Sequence, residues 1–383
     1  MLHFFVSQNT KMLTYDVVVC GGGIAGVAAA VAAARQGAKT VLVEKQCLLG
    51  GLATSGLIFI YLPLCDGFGK QVTFGLAEEM LRRCVEYGPF DIPEKWGGPK
   101  DGYLGIASER FQCCFSPAGF TLTLDKMLEE AGVELWLDTT ISDVRTRNNR
   151  VTAIEVVNLS GKQTIKGKCF VDATGCAFVA RLAGAEVMSE ENFVTPWVME
   201  MSEHPEGYHF TESLHIAYFG AFTPEYGIPP EYNGRDVTDF VRKTWRQCRD
   251  YYDALPQEAR KRNYPVHLPA MPQLRKIARI DAVYNLTDND AGKQLPHSVG
   301  TVGDWRRPAP CWTTPYEALI PKTVDGILAA GRCIGAAGDA WEIYRVIPSA
   351  AMTGEAAGRA AALCAQKNIL PRKLPFSELA IRN

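Results

Sequence analysis

The sequence predicts an α/β fold, a parallel sheet with flanking helices interrupted by a mixed α+β insertion. Three observations predict it. A strand, a glycine-rich turn, a helix and a second strand follow without a break from Tyr15 to Glu44. Buried-strand and helix patterns continue to Ala185, fade, and return at Gly326. Between them, from Glu186 to about Asp304, helical and strand periods weaken while Pro, Tyr and His accumulate.

The elements follow in chain order. Asp16–Cys20 is a β-branched run suited to one buried parallel strand. Gly21, Gly23 and Gly26 supply the spacing G-x-G-x-x-G. Ile24 to Gln36 is Ala-rich and free of Pro, which predicts a helix ended by Gly37. Thr40–Val43 is the second strand, closing on Glu44. Gly21 permits the tight turn, Gly23 admits a pyrophosphate to the backbone, and Gly26 lets helix and strand pack closely. The helix opening offers free N–H groups and a positive dipole end to that pyrophosphate. Glu44, eighteen residues beyond Gly26, is spaced to accept hydrogen bonds from a ribose diol. The order of these features predicts a bound dinucleotide.

Leu49 to Gly56 is rich in small residues and predicts backbone lying against a ligand. Phe74–Tyr87 reads as an amphipathic helix, Gly88–Gly105 as a loop, Leu122–Ala131 as a helix and Val133–Leu137 as a strand. Val144–Arg147 and Val151–Val157 form a hairpin turning at Asn148-Asn149. Lys168–Asp172 is a buried strand leading into Ala173-Thr174-Gly175, with a helix from Val179 to Ala185. A helix is expected at Val237–Tyr252 and a strand from Gly326 to Gly331. A long Ala-rich helix runs from Ser349 to Lys367, with Pro348 in its opening turn.

Composition excludes several classes. A chain of 383 residues, 47% hydrophobic, is long enough for two or three domains. A net charge of −2 gives no electrostatic case for nucleic acid or an anionic membrane. No apolar run approaches a membrane span, and the first dozen residues lack a signal-peptide pattern. The 12 cysteines never form C-x-x-C and read as buried thiols of a cytoplasmic protein. Neither they nor the six histidines show metal-ligand spacing.

The opening GGGIAGVAAAVAAARQGAKTVLVEK with LLGGLATSGL resembles the glutathione-reductase-like flavoproteins. With VDATG at Val171–Gly175, LRKIARI at Leu274–Ile280, VGDWRRP at Val302–Pro308, PYEALIPK at Pro315–Lys322, LAAGRCI at Leu328–Ile334 and RVIPSAAMTGEAAG at Arg345–Gly358, it is similar to the FAD-dependent oxidoreductase family. That family is distantly similar to fumarate reductase and succinate dehydrogenase flavoproteins. The resemblance implies a Rossmann-like FAD-binding domain of glutathione reductase type, formed by residues 12–185 and 305–370, with an inserted substrate domain at 186–304. It implies that Gly21, Gly23, Ile24, Ala25 and Gly26 hold the FAD pyrophosphate, with Glu44 and Lys45 at the adenosine ribose. Gly50, Gly51, Ala53 and Thr54 would lie along pyrophosphate and flavin, Ile141 against the adenine. Ala173, Thr174 and Gly175 would close the pocket, and Gly331 and Arg332 approach the ribityl chain. Pro348, Ser349 and Ala350 would face the flavin's pyrimidine edge, where a positive helix end favours electron uptake.

Residues for substrate chemistry are harder to single out. By the same resemblance Arg345 would bind a substrate carboxylate beside the flavin; otherwise it pairs with Glu342 or Asp339 as support. Trp341 and Tyr344 flank it, as pocket wall or as packing. His204, His209, His215 and His267 are candidate proton carriers, imidazole being the side chain suited to proton transfer at neutral pH, or plain structural histidines. Arg275 and Arg279 sit at the domain seam, facing the site or bridging the domains. The chain has no second glycine fingerprint for a nicotinamide and no C-x-x-x-x-C after the first helix. The flavin is therefore expected to exchange electrons with a small-molecule substrate or a separate acceptor. A flavin-dependent dehydrogenase or reductase is one function class, and a non-redox flavoprotein of isomerase or cyclase type is the other.

Overall fold

The computed structural model describes residues 13–92, 113–190, 196–203, 209–219 and 233–379. His204 and most of the loop expected at Gly88–Gly105 lie outside them. Strand β1 (Leu13–Cys20) runs into the glycine turn, helix α1 (Ile24–Arg35) and strand β2 (Thr40–Val43). β1 and β2 pair in parallel from Val17↔Thr40 to Cys20↔Val43. Every residue of β2 is buried, which is why it reads as a continuous apolar run and not an alternating one. Helix α2 (Leu76–Arg83) starts later than its pattern suggests because Gly75 adopts φ +69°. Helix α3 (Pro117–Ala131) begins five residues earlier than its apolar stripe, since Ser116 accepts from Gly119 N–H at 3.2 Å and Pro117 fits the first turn.

Strand β3 (Glu134–Trp136) extends the parallel sheet beside β2. Strands β4 (Thr140–Arg147) and β5 (Arg150–Asn158) form the expected hairpin. Its turn residues Asn148 and Asn149 have φ 51° and 57°, the left-handed pair that a two-residue hairpin turn requires. Strand β6 (Gly161–Asp172) is much longer than expected, because only its buried end carries an apolar run. Helix α4 (Phe178–Leu182) follows it.

A second, three-stranded antiparallel sheet has β7 (Trp197–Met201) at its centre, between β8 (Leu214–Tyr218) and a later strand. Helix α5 (Gly234–Ala254) opens on a capping box between Asn233 and Asp236. The later strand is β9 (Tyr264–His267). Strand alternation splits the two faces of this sheet. Val198, Phe219 and Cys248 form a small core under α5, whereas Trp197, Met199 and Ile216 pack on the main core.

Strands β10 (Ser298–Gly303) and β11 (Cys311–Pro315) pair antiparallel, and Val299 and Val302 of β10 belong to the main core. The chain re-enters the large sheet through strand β12 (Ile327–Ala329). That sheet has the order β3-β2-β1-β6-β5-β4, with β12 also parallel to the end of β6. Helix α6 (Gly338–Tyr344) then turns into helix α7 (Ile347–Lys367). α7 lies against α1 at very short range. A methyl group at Gly354 would stand 2.2 Å from Ala25 O, and one at Gly358 2.1 Å from Ala29 O. Gly358→Ala is therefore expected to cost about 1–3 kcal/mol of stability through overpacking. A thermal or urea midpoint measured on the purified variant checks this, and an unchanged midpoint contradicts it.

Candidate cofactor and active site

β1, the glycine turn, β2 and the ends of β6 and β12 all finish at one edge of the large sheet. A cavity of about 320 Å³ opens there, at the carboxyl ends of parallel strands where open α/β sheets bind ligands. Its walls include Gly21, Gly23, Ile24, Ala25, Glu44, Lys45, Gly50, Gly51 and Ala53. They also include Ile141, Ala173, Thr174, Gly175, Gly331, Arg332, Arg345 and Ala350. Sequences more than three hundred residues apart are thus brought together as expected.

The three glycines divide their work. Gly21 has φ +101°, and a methyl group there would lie 2.7 Å from Ala173 O. Gly26 does not line the cavity; a methyl group there would lie 1.8 Å from Gly21 O, so its role is close packing. A methyl group at Gly23 would meet no protein atom within 4 Å. It would project into the cavity, which is the cradle a pyrophosphate needs.

Two helices open onto this space without side-chain caps, α1 at Gly23 and α7 at Val346. Ile24 and Ala25 of one, and Val346, Ile347 and Ala350 of the other, form the wall. Their orphan N–H groups and positive dipole ends favour anions at both places. The Glu44 carboxylate accepts from Gly22 N–H at 2.6 Å and from Gln46 N–H at 2.8 Å. Each oxygen retains acceptor capacity for a hydroxyl group. A dinucleotide with two anionic regions and a ribose diol fits this donor and acceptor set.

Other expected contacts serve to shape the wall. Thr54 is buried and its hydroxyl donates to Leu49 O, locking the small-residue loop. Ser349 donates to Ile343 O at 2.6 Å and ties α6 to α7, while Pro348 fills the first turn of α7. None of these three lines the cavity. Asp172, which the motif reading passed over, accepts from Thr174 N–H and Oγ1 at 3.1 and 2.6 Å and from Ala180 N–H at 2.8 Å. It fixes the Ala173-Thr174-Gly175 turn, although burial pushes its carboxyl up from the ordinary range.

Arg332 donates from Nε to Gly175 O at 2.6 Å and from NH1 to Leu274 O at 2.5 Å. Arg345 both lines the cavity and pairs with Glu342, Nε to Oε2 at 2.6 Å. The other Glu342 oxygen faces Lys276 Nζ at 3.3 Å. Asp339 is taken by Arg306 instead, at 2.6 Å. Arg279 is buried, donates to Asn285 Oδ1 at 3.2 Å and stacks on Trp341.

Two residues expected near the chemistry, His215 as a proton carrier and Tyr344 as pocket wall, are not brought to this cavity. His215 pairs across the sheet with Glu200, Nε2 to Oε2 at 2.9 Å, on the face that α5 covers. Its strand parity turns it away from the main core. Tyr344 is fully buried, accepts from Thr314 Oγ1 at 2.9 Å, and has its phenol pushed up by desolvation. Trp341 is likewise packing, with its indole N–H donating to Arg332 O at 2.6 Å. His209 and His267 are exposed. Wall residues missed by the sequence reading include Thr139, Thr140, Cys176, Phe178 and Met271. Thr139, Cys176 and Met271 sit in loops, Thr140 opens β4 and Phe178 opens α4, and only Thr139 and Thr140, the two residues before Ile141, carried a positional signal.

Among the described residues no helix is long and apolar enough to cross a membrane. No three His, Cys, Asp or Glu side chains among them group as a metal site.

Residues 16–291 and 199–382 match the family described as FAD dependent oxidoreductase. The chain is 26% identical over 190 residues to digeranylgeranylglycerophospholipid reductase 1 of Methanococcoides burtonii, covering 45% of this chain and 40% of that protein. It is 27% identical over 196 residues to the NADH:fumarate oxidoreductase of Klebsiella pneumoniae, covering 42% of this chain and 20% of that protein. The chain thus spans less than half the length of either relative. A flavin-dependent brominase structure shares the fold at TM-score 0.50 and 14% identity, over 96% of this chain and 82% of that one.

Proposed function

The chain belongs to the FAD-dependent oxidoreductase family, and from that premise we propose that it moves a hydride between FAD and a small anionic organic substrate. FAD is its cofactor. The pair of uncapped helix ends on one cavity, joined by Arg332 and Arg345, is the observation that carries the reading.

The bound flavin supplies the centre that takes up or releases the hydride. Everything else falls to the chain. Gly21, Gly23, Ile24 and Ala25 seat the pyrophosphate at the α1 opening. Glu44 holds the adenosine ribose. The α7 opening, through Val346, Ile347 and Ala350, favours negative charge at the far end of the cavity. Arg345 lines the cavity beside that opening, and its guanidinium orients an anionic group of the substrate by a planar, two-donor contact. Glu342 restrains its guanidinium, which limits the side-chain freedom lost on binding.

The test is an anaerobic screen of the yellow holoprotein against small carboxylates and their neutral amides. Bleaching by a carboxylate, or reoxidation of the pre-reduced protein by one, with no response to the matching amide, is the expected result. Conversion of a compound without any net change in flavin colour would instead favour an isomerase or cyclase.

A further inference from the structure

A second cavity, of about 540 Å³, lies between helix α5 and strand β9. Among the described residues it shares no wall with the cofactor cavity. The pattern of α5 explains how it arises. Phe240, Thr244 and Cys248 are the buried positions of the helix, with Cys248 against Val198 of β7. Trp245, Arg249 and Tyr252, spaced by four and three, share the neighbouring face and border the cavity. Asn263, Tyr264 and Leu268 face them from the other side, where every residue of β9 is exposed.

Three large apolar side chains stay in water around this one depression, Trp245 at 43%, Tyr264 at 42% and Leu268 at 38% exposure. Apolar surface gathered about a concave place marks a binding site, and a volume of this order suits a small organic molecule. The walls are already set. The Tyr252 ring is held by Phe219 and Tyr251, with ring centres 6.1 and 5.0 Å away. Asn263 accepts from Ser202 Oγ and donates to Ala259 O, both at 2.9 Å.

Charge selects the occupant. Arg260, also on the wall, donates from Nε to Leu255 O at 3.0 Å and from NH1 to Asp253 at 3.3 Å. Arg249 has neither a hydrogen bond nor an ion pair among the described residues. A spare guanidinium beside apolar walls repels a cation and gives a neutral molecule little. An anion gains charge-assisted hydrogen bonds there.

We propose that this cavity is a second ligand site, taking one small amphipathic anion. Its apolar body lies among Trp245, Tyr264 and Leu268, and its charged head meets Arg249. This site and the hydride-transfer chemistry stand or fall separately.

The experiment titrates FAD-loaded protein with the fluorescent anion anilinonaphthalene sulfonate and with its uncharged counterpart phenylnaphthylamine. Wild type is expected to bind each at one saturable place, the anion more tightly. Arg249→Gln should weaken the anion by roughly tenfold, about 1.4 kcal/mol, and leave the uncharged probe unchanged. Arg249→Lys should recover part of the loss, because the charge is kept. Leu268→Ser should weaken both probes. Flavin content and thermal midpoint should stay at wild-type values, since both residues are exposed and neither borders the flavin. Equal binding of the anion by Arg249→Gln and wild type overturns the proposal. Binding that never saturates overturns it too, as adventitious adsorption to apolar surface. If sedimentation finds wild type to be a dimer that Leu268→Ser separates, a second copy covers the cavity and the ligand site is wrong.

Discussion

Gly23→Val is expected to yield a folded but colourless protein. Gly23 has φ −67° and ψ 178°, extended backbone that any residue adopts. A Cβ there meets no protein atom within 4 Å. The added side chain therefore enters the space the pyrophosphate needs, and even about 1.4 kcal/mol of repulsion lowers affinity tenfold. The flavin-to-protein ratio of the purified variant should fall about tenfold or more. Its thermal midpoint should match that of wild type stripped of FAD, because only the ligand's contribution to stability is gone. Gly26→Ala provides the contrast. Its methyl group would lie 1.8 Å from a backbone oxygen, so the apoprotein itself should lose stability. A fully flavinated Gly23→Val protein would show that the pyrophosphate lies elsewhere.

Arg345→Ala is expected to slow substrate-dependent flavin reduction by on the order of 10²-fold, the usual loss when one preorganised donor to a developing charge is removed. Flavin content should hardly change, since the α1 and α7 openings remain. Glu342 keeps a cation in Lys276 at 3.3 Å, so no buried carboxylate is stranded. Arg345→Lys should keep much of the rate and lose mainly affinity. Rapid-mixing kinetics with the substrate found by the bleaching screen separates the two parameters. A loss below about threefold would make the residue a bystander, and loss of flavin or fold would make it structural.

The cofactor half of this site was legible in the sequence because its signals are local. Gly21, Gly23, Gly26 and Glu44 stand within one strand–helix–strand unit, where residue type and spacing fix the geometry. The Asn148-Asn149 hairpin was legible for the same reason. β6 was underread because its first seven residues are mostly polar and only Ile165 among them is buried. His215 was misplaced because a histidine's chemistry is visible in sequence while its strand parity is not. Only pairing with Glu200 beneath α5 decides which way it points. Arg275 stood out as a seam residue, and it donates to Gln273 O at 3.1 Å and lies over the Trp197 ring. Its position depends on Gln273 and Arg332, partners separated from one another by the whole of β10 to β12.

The sheet order has a consequence for how the protein is made. β12 and α7 complete the cradle, yet they follow α1 only after the whole second sheet and α5, and β6 awaits β12 along its last three residues. A ribosome delivers the chain from its N-terminus, and domains built from distant segments cannot close until the last one emerges. The nascent chain therefore exposes the Ala-rich face of α1 until α7 arrives to cover it. The complete flavin cradle therefore exists only after α7 has been made.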